Sequence, residues 1–259
     1  MNKNNNNQIN LSEKVKPSPE DIYEMLNELG YDGFEEYDDD EIMLPEKVFF
    51  EDEPVCAYHL HIKLKNSPIP IWREIEVPSN ISLEFFAHVV IESMGWANTH
   101  LHEFSYRNKL YYNRAYIEEY VVMDPDIYSK YMIFATEECS IAKIFEYKGD
   151  RINFTYDFGD NWRHEIWLKG IREYNKDEEP SLKILKGKGD CPPDDCGGIY
   201  GYTDILRILN KKHKTAEDKE TLDWCNFDYD HDPNEFEIEI TKIRLYELWN
   251  VAINNLTQH

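Results

Sequence analysis

The sequence predicts an α+β protein in which a β-grasp-like mixed sheet packs on one helix, with an extra hairpin and a helical C-terminal part. Three observations lead to this prediction. Apolar and polar residues alternate over several short segments, as they do in half-buried strands. One segment around residue 85 repeats its apolar residues at helical spacing instead. The segments follow each other as strand, strand, helix, strand, strand, which is the β-grasp order.

Two strands open the predicted core. Apolar residues alternate with histidines and lysines over 58–64, and the alternation resumes over 71–77. The residues Asn66, Ser67 and Pro68 between them favour a turn.

A single helix follows this pair of strands. Ser82 is a good N-cap, and Gly95 is a good C-terminal stop. The residues predicted to face the sheet are Phe85, Phe86, Val89, Val90 and Met94.

Further strands come after the helix. We predict short strands over 101–106 and 109–112, and a hairpin formed by 152–158 and 162–170. The intervening residues 114–138 have no clean period, so they are predicted to be an insertion.

The chain is predicted to have four parts. They are a disordered tail over 1–16, an N-terminal helix and acidic connector over 17–54, a β-grasp-like core over 55–173, and a Gly/Pro-rich loop with C-terminal helices over 174–259.

Charge and composition limit the function classes. The formal net charge of −23 over 259 residues repels nucleic-acid phosphates and anionic membranes. We therefore expect a protein partner, with a basic one as the best electrostatic match, and no membrane. Direct nucleic-acid binding is not expected unless a basic patch is hidden in the fold. Five cysteines without a secretion signal or a transmembrane run indicate reduced thiols and a cytoplasmic location.

Five residues are candidate metal ligands. His100 and His102 flank one residue of a predicted strand, and Asp157, Asp160 and His164 lie around the turn of the later hairpin. If that hairpin lies near the third strand, imidazoles and carboxylates meet, and this donor set suits zinc or manganese. The spacing also fits a structural interpretation, in which these side chains cap turns, and that interpretation is favoured. No other cofactor is indicated.

A second candidate is the Gly/Pro-rich loop CPPDDCGGIYGY. Two cysteines alone do not complete a zinc site, and their spacing is not that of a redox pair. The loop is predicted to be structural, with a role as the wall of a binding site as the alternative. Its candidate binding residues are Cys191, Asp194, Asp195, Cys196, Gly197, Gly198 and Tyr200.

Helix starts are predicted at Thr203, Thr215 and Asp232. The alternative for the last of them is a calcium loop, which we reject because Pro233 stands where the template needs glycine. The carboxylates that would form that loop are Asp228, Asp230, Asp232 and Glu239.

Five separated blocks carry a resemblance to a known family. They read IWREIEVPSNISL, MGWANTHLHEF, YDFGDNWRHEI, CPPDDCGGIYGY and DPNEF. In these blocks the chain resembles the plasmid pRiA4b ORF-3-like family. The resemblance implies an α+β fold and a mobile-element or prophage neighbourhood, and it implies no settled biochemical activity.

Three functions are consistent with the sequence. The first is a cytoplasmic accessory or interaction protein of mobile-element or prophage origin, favoured because no catalytic signature is found. The second is a metal-dependent hydrolase or metal-binding enzyme centred on the strand histidines and the FGD turn. The third is an acidic DNA mimic with a counter-defence role.

Overall fold

The described part of the chain is residues 44–256, without the side chains of Pro125 and Leu256, in a computed structural model. The predicted tail over 1–16 and the predicted helix over 17–30 lie outside the described residues. So does most of the acidic connector.

Eight strands form one sheet. They are β1 (Cys56–Leu64), β2 (Trp72–Pro78), β3 (His102–Tyr106), β4 (Lys109–Tyr112), β5 (Met132–Ala135), β6 (Arg151–Tyr156), β7 (Trp162–Glu173) and β8 (Lys183–Lys188). Their order across the sheet is β5-β4-β3-β6-β7-β1-β2-β8. Every neighbouring pair is antiparallel except β4 and β5, which are parallel.

Six α-helices accompany the sheet in the described part of the chain. They are α1 (Leu83–Met94), α2 (Arg114–Glu119), α3 (Pro125–Lys130), α4 (Gly198–Leu209), α5 (Ala216–Trp224) and α6 (Ile238–Leu256). Short 3-10 turns cover 121–123, 136–138 and 141–143. The α+β class is confirmed. None of the described helices combines the length and apolar character that a bilayer span needs.

Helix α1 is the predicted central helix. The Ser82 hydroxyl accepts a hydrogen bond from the Phe85 N–H at 3.0 Å, and Gly95 ends the helix with a φ of 110°. Nearly every residue of α1 is buried, and the Phe86 ring stacks on Phe104 of β3 at 5.9 Å. The helix therefore lies in the core against the sheet, as predicted.

The β-grasp arrangement itself is not confirmed. The neighbours of β1 are β2 and β7, so the β6–β7 hairpin lies between the first and the second pair of strands. The hairpin can take this place because β7 is twelve residues long and pairs with β1 along one edge and with β6 along the other.

Two strands were missed by sequence analysis. Strand β5 comes from the predicted insertion and forms one edge of the sheet, and β8 comes from the predicted loop region and forms the other edge. Both are short, and β5 has one buried residue among four. Strands at an edge bury too little to give a clear alternation.

The helix starts had mixed outcomes. The start at Thr215 is confirmed, with a reciprocal capping box to Asp218. The start at Thr203 is wrong, because α4 already begins after Gly197 and the Thr203 hydroxyl donates to the Ile199 carbonyl inside the helix. The start at Asp232 is also wrong: its carboxylate accepts the Asn234 N–H in a turn, and α6 begins at Ile238.

Candidate metal centre

Three side chains with metal-binding chemistry meet beside the end of β6. His100 comes just before β3, Asp157 follows β6 directly, and Asp195 lies in the Gly/Pro-rich loop. One ligand atom from each lies within 4.8 Å of the others. The His100 Nε2 is 3.6 Å from the Asp195 Oδ1. Within residues 44–256 this is the one group of three or more His, Cys, Asp or Glu side chains with such spacing.

The backbone around Asp157 fixes its carboxylate. Asp157 has a φ of 55°, in the left-handed region that favours glycine. Its N–H donates to the Leu101 carbonyl at 2.9 Å, and its Oδ1 accepts the Gly159 N–H at 2.7 Å. Aspartate adopts this region more readily than most non-glycine residues, and here the two hydrogen bonds hold its carboxylate in one position.

His100 lies at the rim of the core. Its side chain keeps 26% of its surface exposed, and its ring contacts the edge of Tyr156 at a centroid distance of 5.7 Å. The Tyr156 hydroxyl accepts the N–H of Thr99, the preceding residue, at 3.2 Å. The imidazole is therefore positioned by its neighbours while solvent can still reach it.

The loop carrying Asp195 docks on the hairpin turn. The Gly197 N–H donates to the Asp160 carboxylate at 3.1 Å. Gly198 has a φ of 65°, and a Cβ at that position would lie 2.5 Å from the Asp160 carbonyl oxygen. Only glycine allows the two backbones to approach this closely. This docking brings the two predicted groups, the FGD turn and the loop, together.

Asp194 is a further acid beside the three ligands. Burial raises its pKa, and the Asp195 and Asp157 carboxylates raise it further, against a hydrogen bond from the Ala97 backbone and the nearby His100. Its Oδ1 is buried and has no hydrogen-bond partner among the described residues. A carboxyl group in this state takes up a proton more readily than an exposed aspartate.

His102 lies outside the three-residue group although it was predicted with it. It is 6% exposed, and its Nε2 lies 3.2 Å from the Glu84 Oε2. The Thr136 hydroxyl donates to the same carboxylate oxygen. The imidazole of His102 therefore belongs to a buried structural cluster.

The other two predicted ligands also have different roles. Asp160 accepts the Gly197 N–H and so holds the loop. His164 is fully buried, and its ring lies 5.4 Å from Trp96 and 5.6 Å from Phe154. Burial lowers the pKa of His164 to about 3, so the ring is neutral at physiological pH.

The loop cysteines do not contribute thiolate chemistry. Burial raises the pKa of Cys191 well above its ordinary value, and it raises the pKa of Cys196 to about 12. Both thiols are therefore protonated at neutral pH and behave as small hydrophobic groups. Tyr200, in contrast, is 88% exposed.

Residues 56–240 match the family described as plasmid pRiA4b ORF-3-like protein. The chain belongs to this family. The match contains all five sequence blocks, and with them both the FGD turn and the Asp195 loop.

Two relatives have names that state no function. The chain is 33% identical over 162 residues to the uncharacterized protein y4hQ of Sinorhizobium fredii, covering 62% of this chain and 76% of that protein. It is similar to the crystal structure of MM3350, a protein of unknown function from Methanosarcina mazei Go1. That similarity has a TM-score of 0.58 and 26% identity, and it covers 72% of this chain and 98% of the other. Neither relative carries an activity over to this member of the family.

Sequence analysis placed Asp195 in the binding loop and not among the metal ligands. The residues His100, Asp157 and Asp195 come from three separate segments, so no local spacing links them. The available signal was the pair Gly197 and Gly198 directly after two aspartates, since adjacent glycines often allow one backbone to dock on another.

Proposed function

We propose that this protein binds a divalent metal ion at His100, Asp157 and Asp195 and uses it in a hydrolytic reaction. The observation that carries the proposal is the convergence of three ligand atoms within 4.8 Å from three separate segments. A partly exposed imidazole and an exposed carboxylate at the same point leave room for water and substrate.

The donor set fits a zinc or manganese ion. One imidazole nitrogen and two carboxylate oxygens are usual ligands of both metals. Metal–ligand distances of about 2.0–2.2 Å place neighbouring ligand atoms roughly 3–4 Å apart, which needs only a small adjustment of the observed group. Three protein ligands also leave a coordination position open, as hydrolytic centres require.

Asp194 supplies a proton-transfer group next to these ligands. A bound divalent cation provides Lewis acidity and lowers the pKa of a coordinated water. The buried Oδ1 of Asp194, which has no hydrogen-bond partner among the described residues, suits a carboxylate that accepts a proton from a coordinated water.

Elemental analysis of protein purified without chelators tests the metal site. We expect about one zinc or manganese ion per chain in the wild type. Asp195→Ala should lose this metal, because it removes one ligand at an exposed position. Asp177→Ala, at an exposed aspartate in another loop, is the matched control and should keep it. A folded wild type that binds neither metal would disprove the site.

Hydrolysis is tested separately from metal binding. Chromogenic phosphodiester and carboxylic ester substrates are assayed with added zinc or manganese in the wild type and in Asp194→Asn. We expect metal-dependent turnover in the wild type and a loss of about 10²-fold or more in Asp194→Asn with metal still bound. A metal-loaded wild type without turnover on any such substrate would reduce the proposal to metal binding.

The accessory-protein function is a second candidate, and one observation favours it. The segment around β5 exposes several large apolar side chains at an edge of the sheet: Tyr120, Val122, Met123, Tyr128, Tyr131, Met132 and Phe134. Exposed apolar patches of this kind often mark protein contacts. A pull-down that recovers the same protein with the wild type but not with Met123→Asp would support it. Equal recovery with both would count against it. The mobile-element origin and the cytoplasmic location remain predictions that go with this candidate.

A further inference from the structure

The outer face of the sheet, on the side opposite α1, concentrates positive charge. On strands β6, β7, β1, β2 and β8, and at the residue following β1, nine lysines and arginines and three glutamates alternate with core residues. The cations are Lys63, Lys65, Arg151, Arg163, Lys169, Arg172, Lys183, Lys186 and Lys188. The chain as a whole carries 28 Lys and Arg against 51 Asp and Glu. The outer face therefore has the opposite sign to the rest of the protein.

Five of these cations are not neutralised by an ion pair. Arg172 and Lys183 both bind Glu76 and Glu178, while Lys186 and Arg151 each contact one glutamate. The remaining cations form no ion pair among the described residues: Lys63, Lys65, Arg163, Lys169 and Lys188. Unpaired cations gathered on one face attract an anionic ligand.

Aromatic rings lie between the cations. The imidazole of His61 lies between Trp72, at a centroid distance of 5.2 Å, and Trp167, at 4.1 Å. The Arg151 guanidinium is 5.4 Å from the Trp167 ring, and the Lys186 ammonium is 5.9 Å from the Trp72 ring. Cations and rings thus alternate across five strands, from β6 to β8.

A polar pocket of about 240 Å³ adjoins this row. Its lining includes Lys65 and Arg163, the neutral side chains of Asn153, Thr155 and Asn161, and the carboxylate of Glu103, which already accepts a hydrogen bond from the Tyr112 hydroxyl at 2.6 Å. Ammonium, guanidinium, amide and hydroxyl groups together bind phosphate and sugar oxygens.

We infer that the outer face binds single-stranded nucleic acid, with its cations on the phosphates and the partly exposed rings of Trp72 and Trp167, held apart by His61, against the bases. Interleaved cations and aromatic rings on an open sheet are typical of single-strand binding, since every base has a face that stacks. An acidic peptide would use the cations but not the rings. The sequence-based expectation of no direct nucleic-acid binding made an exception for a hidden basic patch, and the outer face is such a patch. This inference does not depend on the proposed metal centre.

Fluorescence anisotropy with labelled 12-nucleotide single-stranded RNA and DNA, at low and at physiological salt, tests it. The test variant is Lys63→Glu with Arg163→Glu, because both side chains are exposed and can be changed without disturbing the core. We expect at least tenfold weaker binding. The slope of log affinity against log salt concentration should become shallower by about 1.4, which corresponds to the loss of two phosphate contacts on a single strand. The matched control, Lys212→Glu with Lys242→Glu, makes the same change of charge away from the outer face and should alter affinity less than twofold. Thermal unfolding checks that both variants fold.

Two further ligands complete the test: one without bases and one that is double-stranded. An abasic oligonucleotide of equal length and a duplex should both bind at least fivefold more weakly than the single strand. The preferred sugar is read from the RNA and DNA measurements. The inference is overturned if the wild type does not bind at low salt, if both charge variants lose affinity equally, or if abasic strands and acidic peptides bind as well as the intact oligonucleotide.

Discussion

His100 and His102 are two residues apart, and both lie close to a carboxylate, yet their surroundings differ. His102 lies with Glu84, Thr136 and His88 in the space between α1 and the sheet, where each of the four residues is less than 9% exposed. His100 lies at the rim, where Asp157 is buried but Asp195 is 69% exposed. A histidine and a carboxylate are thus shielded from solvent in the first group, the buried cluster, and accessible to solvent in the second group, the rim cluster.

This difference separates a structural cluster from a candidate site. In the buried cluster Glu84 is already bound by His102 and Thr136, so no ligand can reach it without disrupting the core. In the rim cluster the hydrogen bonds hold the backbone and one oxygen of Asp157, while the exposed Asp195 carboxylate faces the His100 imidazole at 3.6 Å, which is longer than a hydrogen bond. Solvent access and the absence of competing partners, more than residue type, indicate which histidine can bind a metal.

Removing the buried carboxylate should have the largest effect on stability. Glu84→Ala leaves His102 and Thr136 without their partner in the core, and we expect the free energy of unfolding to fall by about 3–5 kcal/mol. Urea denaturation followed by circular dichroism measures it. Glu84→Gln, which still accepts a hydrogen bond, should lose less. A loss below about 1 kcal/mol in Glu84→Ala would show that the buried cluster is not structural.

The second-largest effect is expected from acid, which should destabilise the fold through its buried histidines. Burial lowers the pKa of His88 to about 4 and that of His164 to about 3, both below the ordinary value of 6.5. The unfolded chain therefore binds protons first, so stability is complete above about pH 6.5 and falls as the pH drops towards 4, by up to about 3 kcal/mol per group.

Thermal unfolding between pH 7 and 4 measures this loss. His164→Phe should flatten the profile, because it removes a buried ring whose pKa is lowered to about 3 and replaces it with one that does not titrate. His213→Gln, at an exposed position, should leave the profile unchanged. A profile that stays flat in the wild type would contradict the account of these buried rings.

Two glycines test whether the docking of the Asp195 loop matters for the rim cluster. Both Gly198 and Gly149 have a positive φ, but only Gly198 lies against another backbone. Gly149→Ala should cost about 1 kcal/mol of stability through backbone strain alone. Gly198→Ala should cost about 1–3 kcal/mol more and weaken metal binding as well, because the loop that carries Asp195 is displaced. Equal effects in both variants would show that the docking does not matter.

The smallest effect is expected for the exposed ligand. Asp195→Ala should change the free energy of unfolding by less than about 0.5 kcal/mol when chelator is present, since its side chain is exposed and its one ion pair among the described residues is the 3.6 Å contact with His100. Urea denaturation with chelator checks it against Asp177→Ala. A loss as large as that of Glu84→Ala would make the rim cluster structural too.

The elements with a strong local pattern could be predicted from the sequence. Helix α1 with its Ser82 and Gly95 boundaries, the β1–β2 pair and the β6–β7 hairpin follow from periodicity and capping. The sheet order could not be predicted, because it depends on which edges pair after the chain has folded. The short edge strands β5 and β8 bury too little apolar surface to show an alternation.

The candidate site was predicted in pieces. His100 and Asp157 were singled out as ligands, and Asp195 was singled out as part of a loop. Their meeting depends on a backbone contact between Gly198 and Asp160, which are 38 positions apart in the sequence. His102 and His164 share the residue type of a ligand, and only their burial shows that they are not available.

Calorimetric titration with zinc and manganese of the wild type, His100→Gln and His102→Gln is the most direct test. We expect one site per chain in the wild type. His102→Gln should be less stable but should bind the metal with an affinity within about threefold of the wild type, which is less than 0.7 kcal/mol. His100→Gln should be as stable as the wild type but lose the metal. If His102→Gln abolishes binding and His100→Gln retains it, the assignment of the two histidines is wrong.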